Sequence, residues 1–136
     1  MRELTDHIVT GDSANHQLTI KVTDTPGQGG ANHSYIIEGF DVIDNPSNNK
    51  EEGDISGPCR LNILFQNGPI KEFGVNGITQ EALLAVVIDR LRAFQIGPYA
   101  CQDNQIALDA CVRALYQLQN RTRIRIARGV EGTHVK

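Results

Sequence analysis

Apolar residues recur at every second position in the first half of the chain and at every third or fourth in the second half. The first period predicts strands with one covered face, and the second predicts amphipathic helices. From Gln17 to Thr23, Leu18, Ile20 and Val22 face one way while Gln17, Thr19, Lys21 and Thr23 face the other, as in a half-exposed strand. Thr25-Pro-Gly-Gln-Gly-Gly predicts a turn in which glycine supplies positive φ values, and Asn32 to Val42 returns as the second strand of a hairpin. Its alternation is broken, because Glu38 shares a face with Ile36 and Phe40. Arg60 to Gln66 is a third strand with Leu61, Ile63 and Phe65 in phase, Asn67-Gly68-Pro69 turns the chain, and Ile70 to Val75 is expected to return as a fourth. Met1 to Asn15 has no period and reads as loop or a weak edge strand. Asp44 to Pro58, rich in Asn, Gly, Pro, Ser and acids, reads as a solvated loop.

The period changes at Asn76-Gly77. Thr79 is placed to cap a helix, with Glu81 favourable to the dipole in its first turn. Leu83, Val87, Leu91 and Phe94 form one stripe of this helix, flanked by Leu84 and Ile88, until Gly97-Pro98 stops it. A second helix is expected from Tyr99 or Ala100 to about Arg128, with Gly129 ending it. On it Ala107, Cys111, Ala114 and Leu118 follow steps of four and three, and the same steps continue onto Arg121, Arg125 and Arg128. The fold expected is therefore α+β. A small antiparallel sheet region over residues 1–77 precedes a helical hairpin and tail over residues 78–136, the two forming one integrated domain.

The hairpin is unequal. About 17 residues against about 29 correspond to roughly 25 Å against 43 Å, so the second helix beyond Ala114 to Tyr116 has no first-helix surface to meet. That overhang packs either on the sheet of its own chain or across a second copy of itself, and the second is favoured because symmetric dimers are the commonest assemblies.

Composition narrows the chemistry. A formal charge of −3 argues against a general nucleic-acid binder, but Asp41 to Asp54 carries −4 and Arg121 to Lys136 carries +4. The basic end suits phosphate or the acidic loop of a neighbouring subunit. Three cysteines without CxxC spacing and four scattered histidines point to no disulfide framework and no metal site. No cofactor is expected, and neither a signal peptide nor a membrane span is legible. No serine, histidine or acid spacing singles out a nucleophile or general base, so no catalytic residue is assigned.

Arg121 and Arg125, one helical turn apart, can close on one phosphate or two adjacent ones, with planar forks suited to phosphate oxygens. A solvated helix end complementing the dipole is the plainer alternative. Arg123 points about opposite to the stripe and is assigned to solvent or a salt bridge. Phe94, before the hairpin turn, offers a face for a nucleobase, and Asn104, after it, an amide for a base or ribose edge. Both lie about 25 Å along the helix from Arg121 and Arg125, too far for one small nucleotide within one chain, but an antiparallel second copy would close the gap. Arg128, Tyr99 and Asp103 are further candidates. Gly77-Ile78-Thr79 offers free N–H groups at a helix start, a weak second anion site.

Several stretches resemble a known family. Phe65-Gln-Asn-Gly-Pro-Ile, Gly74-Val-Asn-Gly-Ile-Thr-Gln-Glu-Ala-Leu-Leu, Asp89-Arg-Leu-Arg-Ala-Phe-Gln and Gly97-Pro-Tyr-Ala-Cys-Gln-Asp-Asn are similar to segments of the first described family of phage Thoeris anti-defence proteins. The most specific is Arg121-Thr-Arg-Ile-Arg-Ile-Ala-Arg-Gly-Val-Glu-Gly-Thr-His. The same hairpin is shared with a phage anti-CBASS sponge. The resemblance implies a protein, not an enzyme, acting in the cytoplasm of the infected bacterium. It would hold glycocyclic ADP-ribose made by a Thoeris TIR protein without degrading it, so that the defence effector stays off. It implies Phe94, Asn104, Arg121 and Arg125 as the ligand-binding set, and an oligomer built from dimers, extending to a hexamer as a trimer of dimers, with ligand between subunits. Some members take cyclic trinucleotides at a separate site, for which Gly77 and Thr79 are the candidates here. Binding to DNA, RNA or membrane is not expected. Two rival readings are a nucleic-acid-binding regulator using the basic helix end and a structural phage assembly protein.

Overall fold

A computed structural model of the chain describes residues 1–48 and 58–136. They form two compact units, residues 1–67 and residues 68–136. Much of the expected acidic loop, including Glu51, Glu52 and Asp54, lies outside the described residues.

The first unit is an antiparallel meander of β1 (Arg2–Leu4), β2 (Thr19–Val22), β3 (Ser34–Asp41) and β4 (Pro58–Leu64), in that order across the sheet. The aperiodic N-terminus thus supplies an edge strand. Register places Ile20 opposite Ile37, with Leu61 next across, and Val22 opposite Tyr35 and Ile63, so these residues share one apolar face. Val22 is fully buried there. The opposite face carries a charge ladder in which Glu38 pairs with Lys21 at 2.9 Å and with Arg60 at 2.8 Å. A bulge at Gly39 explains the broken alternation of β3. The register shifts between Glu38 and Phe40, and Phe40 then pairs with Cys59, on the face of Leu61 and Ile63. Only glycine serves at this position, since its φ is 97° and a Cβ would stand 2.0 Å from the carbonyl oxygen of Gln17.

The segment between β1 and β2 is held by its own polar groups. Asp12 accepts from the backbone N–H groups of Ala14 and Asn15, and His7 Nε2 lies 2.8 Å from the Leu18 carbonyl. In the turn before β3, Gly29 and Gly30 take positive φ as expected. Asp24 accepts from the His33 N–H at 2.9 Å.

The second unit begins with a correction. Residues expected to return as a fourth strand form instead a single helical turn, α1 (Ile70–Phe73). Pro69, with φ near −63°, starts it, and Gly74, at φ 69°, ends it. Phe73 folds back onto Gly68, where a Cβ would lie 2.5 Å from its ring. Four residues with apolar ends satisfy a helical turn as well as a strand, and the flanking proline and glycine decide between them.

The hairpin is α2 (Gln80–Ile96) and α3 (Gln102–Ala127). Thr79 caps α2 as expected, its hydroxyl accepting from the Ala82 N–H at 3.1 Å. Gly97 closes it in an extended conformation, and so does not use glycine's freedom at positive φ. The start of α3 falls later than expected, because Cys101 is its N-cap. The Gln95 side chain brackets that residue, accepting from its N–H and donating to its carbonyl, both at 3.1 Å. At the far end Gly129, at φ 72°, forms a Schellman motif, with Val130 N–H donating to Arg125 and Gly129 N–H to Ile126. No helix among the described residues is long and apolar enough to cross a membrane.

Candidate ligand-binding site

Both helices pack through a face turned from the expected one. On α2 the covered positions are Glu81, Leu84, Ile88, Leu91 and Gln95, and on α3 the covered line is Asn104, Leu108, Cys111, Leu115, Leu118, Thr122 and Arg125, with Asn120 half-buried off that line. The expected α3 stripe shares only Cys111, Leu118 and Arg125 with this seam, and its mean direction differs by about 60°. Leucines at 108 and 115 bury more apolar area than alanines at 107 and 114, so the leucine line turns inward.

What the helices leave outside is therefore a second stripe. Leu83, Val87 and Phe94 on α2 and Ala107, Ala114, Arg121 and Arg128 on α3 are exposed. Each stripe lies largely one residue before its helix's packed line. In an antiparallel pair that offset turns both stripes to the same side of the hairpin. Phe94 and Arg121 thus stand on one exposed side, near opposite ends.

Phe94 is 38% exposed and its ring is occupied on one face by Arg90, whose Cζ lies 5.5 Å from the centroid. Arg90 had no role in the sequence reading, although its position one turn before Phe94 would have suggested the contact. Asn104 is a half-buried residue of the first turn of α3. Its side-chain amide donates to the Tyr99 carbonyl at 3.2 Å and its backbone N–H to Cys101 Sγ at 3.4 Å, while its amide oxygen accepts nothing among the described residues. Tyr99 and Asp103 are exposed beside it.

The arginines divide sharply. Arg121 makes no hydrogen bond or ion pair among the described residues. Arg123, as expected, points elsewhere, over the ring of Tyr116 at 5.7 Å. Arg125 is half-buried and engaged by its own chain. Its Nη1 donates to the Val135 carbonyl at 2.7 Å, and its Nη2 to those of Val130 at 3.0 Å and Thr133 at 3.1 Å. Arg128 donates to the main-chain oxygen of Lys136 at 2.7 Å. The structure thus keeps Arg121 and Arg125 one turn apart but does not present them as an open pair. The groups that occupy Arg125 are backbone carbonyls, whose engagement leaves no mark in a sequence.

At the second candidate site, the hydroxyl of Thr79 is committed to capping α2, and Gly77 lies in the preceding turn. Among the described residues the cysteines form no disulfide, and no group of three or more His, Cys, Asp or Glu is placed to hold a metal.

Residues 58–123 match the family described as "Acb2/Tad1, hairpin domain". Phe94, Asn104, Arg121, Gly77 and Thr79 fall inside that range, and Arg125 and Arg128 just beyond it. Among curated proteins, the chain is 47% identical over 74 residues to "Thoeris anti-defense 1" of Bacillus phage SBSphiJ7. That similarity spans 54% of this chain and 52% of the relative, about half the length of each.

Proposed function

Over residues 58–123 the chain belongs to the Acb2/Tad1 hairpin-domain family, and from that premise we propose that it is a phage anti-Thoeris protein acting as a sponge. It captures a glycocyclic ADP-ribose signal and withholds it from the defence effector without breaking it down. The observation that carries this reading is the hairpin match itself, which includes three of the four residues assigned to the ligand.

In this reading the adenine stacks on Phe94, the amide oxygen of Asn104 accepts from a base or ribose edge, and Arg121 with Arg125 neutralises the pyrophosphate. From Asn104 to Arg121 is about 25 Å along one helix, so the two halves of a pocket come from two chains. The exposed stripes of α2 and α3 support that arrangement, because Leu83, Val87, Ala107 and Ala114 give an apolar side on which a second antiparallel hairpin would pack. Sequestration requires slow release and no chemistry, so no residue is assigned a catalytic role. The sponge would work in the cytoplasm of the infected cell, where the signal is made.

The protein is incubated with the product of a Thoeris TIR protein, separated from free ligand, and heat-denatured. Intact signal is expected in the supernatant. A chemically altered product would make the protein an enzyme, and no capture at all would remove the reading. Binding to long DNA or RNA that weakens steeply with salt would favour the nucleic-acid regulator instead.

A further inference from the structure

Arg125 is not waiting for a ligand. Its guanidinium sits in a crown of three main-chain oxygens from residues 130–135, and these interactions are themselves locked in place. Thr133 ties the crown together, its N–H and hydroxyl both donating to the Val130 carbonyl while the hydroxyl accepts from the Val135 N–H at 3.3 Å. The tail is anchored from outside by the Lys71 N–H, which donates to the Gly132 carbonyl at 3.2 Å, and the exposed His134 ring lies 3.7 Å from Glu72. Gly132 takes φ 75° to make this turn.

The geometry has a consequence for anion binding. A guanidinium grips a phosphate through two adjacent N–H groups, either from Nη1 and Nη2 or from Nε and Nη2. Both Nη2 hydrogens of Arg125 are given to Val130 and Thr133. Neither fork is open while the tail is seated, whereas the Arg121 side chain, one turn away, is unengaged among the described residues.

We propose that the segment Val130–Val135 is a built-in competitor for the phosphate site, an intrachain strap whose carbonyls hold Arg125 until an anion displaces them. The proposal rests on the sponge reading for its ligand but not for the clasp itself. Arg121 makes the first contact with the incoming pyrophosphate, and Arg125 joins after the strap lifts. Observed affinity is then reduced by the fraction of chains with the strap down.

Amide hydrogen exchange at Thr133, Val135 and Lys71 reads the strap directly, and two variants loosen it without touching Arg125. Thr133→Val removes the hydroxyl that ties the crown, and Gly132→Ala puts a side chain at a left-handed φ. In the unliganded protein both are expected to speed exchange at these amides, and to tighten glycocyclic ADP-ribose binding about three- to tenfold. Saturating ligand should speed the same amides in the wild type. Inorganic pyrophosphate serves as a second probe, carrying the anion without the nucleosides. Unchanged tail exchange on ligand saturation overturns the strap, as does unchanged affinity in variants whose tails have loosened. If glycocyclic ADP-ribose is not captured, the sponge reading fails on its own, and pyrophosphate decides the strap. Tail release by pyrophosphate then sustains it, and a tail equally protected with and without pyrophosphate removes it.

Discussion

Arginine is a type of residue whose number and spacing a sequence shows plainly and whose availability it does not. Arg121 and Arg125 are equivalent in the pattern, yet among the described residues one side chain is unengaged and the other is held by three backbone oxygens. Charge placement on the sheet is more legible. Glu38 interrupts the apolar face of β3 in the sequence, and the structure resolves the interruption as an ion-pair ladder with Lys21 and Arg60. The Lys21 hydrogen bond, followed by its charge and by Arg60, holds the Glu38 carboxyl below its ordinary value against the opposing effect of desolvation. A carboxylate depressed in the folded state contributes stability that is present above its unfolded pKa and is lost as pH falls through the folded one. Stability measured by urea unfolding is therefore expected to decline below the ordinary carboxylate range, and Glu38→Gln to flatten that decline. An identical acid profile in the variant would assign the decline to Asp24 or Asp12, also depressed by hydrogen bonds.

At the scale of elements, the strand and helix periods were readable because burial on one face imposes them wherever a strand or helix is long. β2, β3, α2 and α3 all fall within two or three residues of the expected bounds. The failures cluster where an element is short or where two phases compete. Ile70–Phe73 is too short for periodicity to choose, and a proline and a glycine chose instead. The bulge at Gly39 was not among the expectations, although a glycine inside a strand pattern can mark a bulge or close backbone approach. Gly39→Ala would push a Cβ toward the Gln17 carbonyl at positive φ, and is expected to lower stability by about 2–4 kcal/mol in denaturant unfolding. A midpoint unchanged from wild type would show that the bulge relaxes around the methyl group.

For the whole molecule, the packing phase of the hairpin matters most. The stripe drawn from the sequence as the core seam is largely the one left outside. Had Ala107 and Ala114 faced α2, the apolar stripe would be buried inside the hairpin and no side would be left for a second copy. Turned outward with Leu83, Val87 and Phe94, they suit a pocket completed by a second copy. This division has a test. Phe94→Ala chains and Arg121→Ala chains, each alone, are expected to bind glycocyclic ADP-ribose about 10- to 100-fold more weakly, from loss of a stacking face or a charged hydrogen bond. Mixed and co-refolded, they should regain near wild-type affinity in a fraction of sites, because one arrangement pairs an intact Phe94 with an intact Arg121. Mixtures that bind no better than either parent would place both residues in a pocket of one chain.

The sequence by itself determined the α+β class, the change of period at Asn76-Gly77, the caps at Thr79 and Gly129, and the likeness of the hairpin to a known family, because each rests on local chemistry or on a long run of residues. Tertiary structure decided which helix faces meet, since two apolar lines about 60° apart fit the same sequence and only the larger buried area selects one. It also decided the state of Arg125. The groups that hold it are carbonyls, which every residue possesses, and only the path of the chain after Gly129 brings them to the guanidinium.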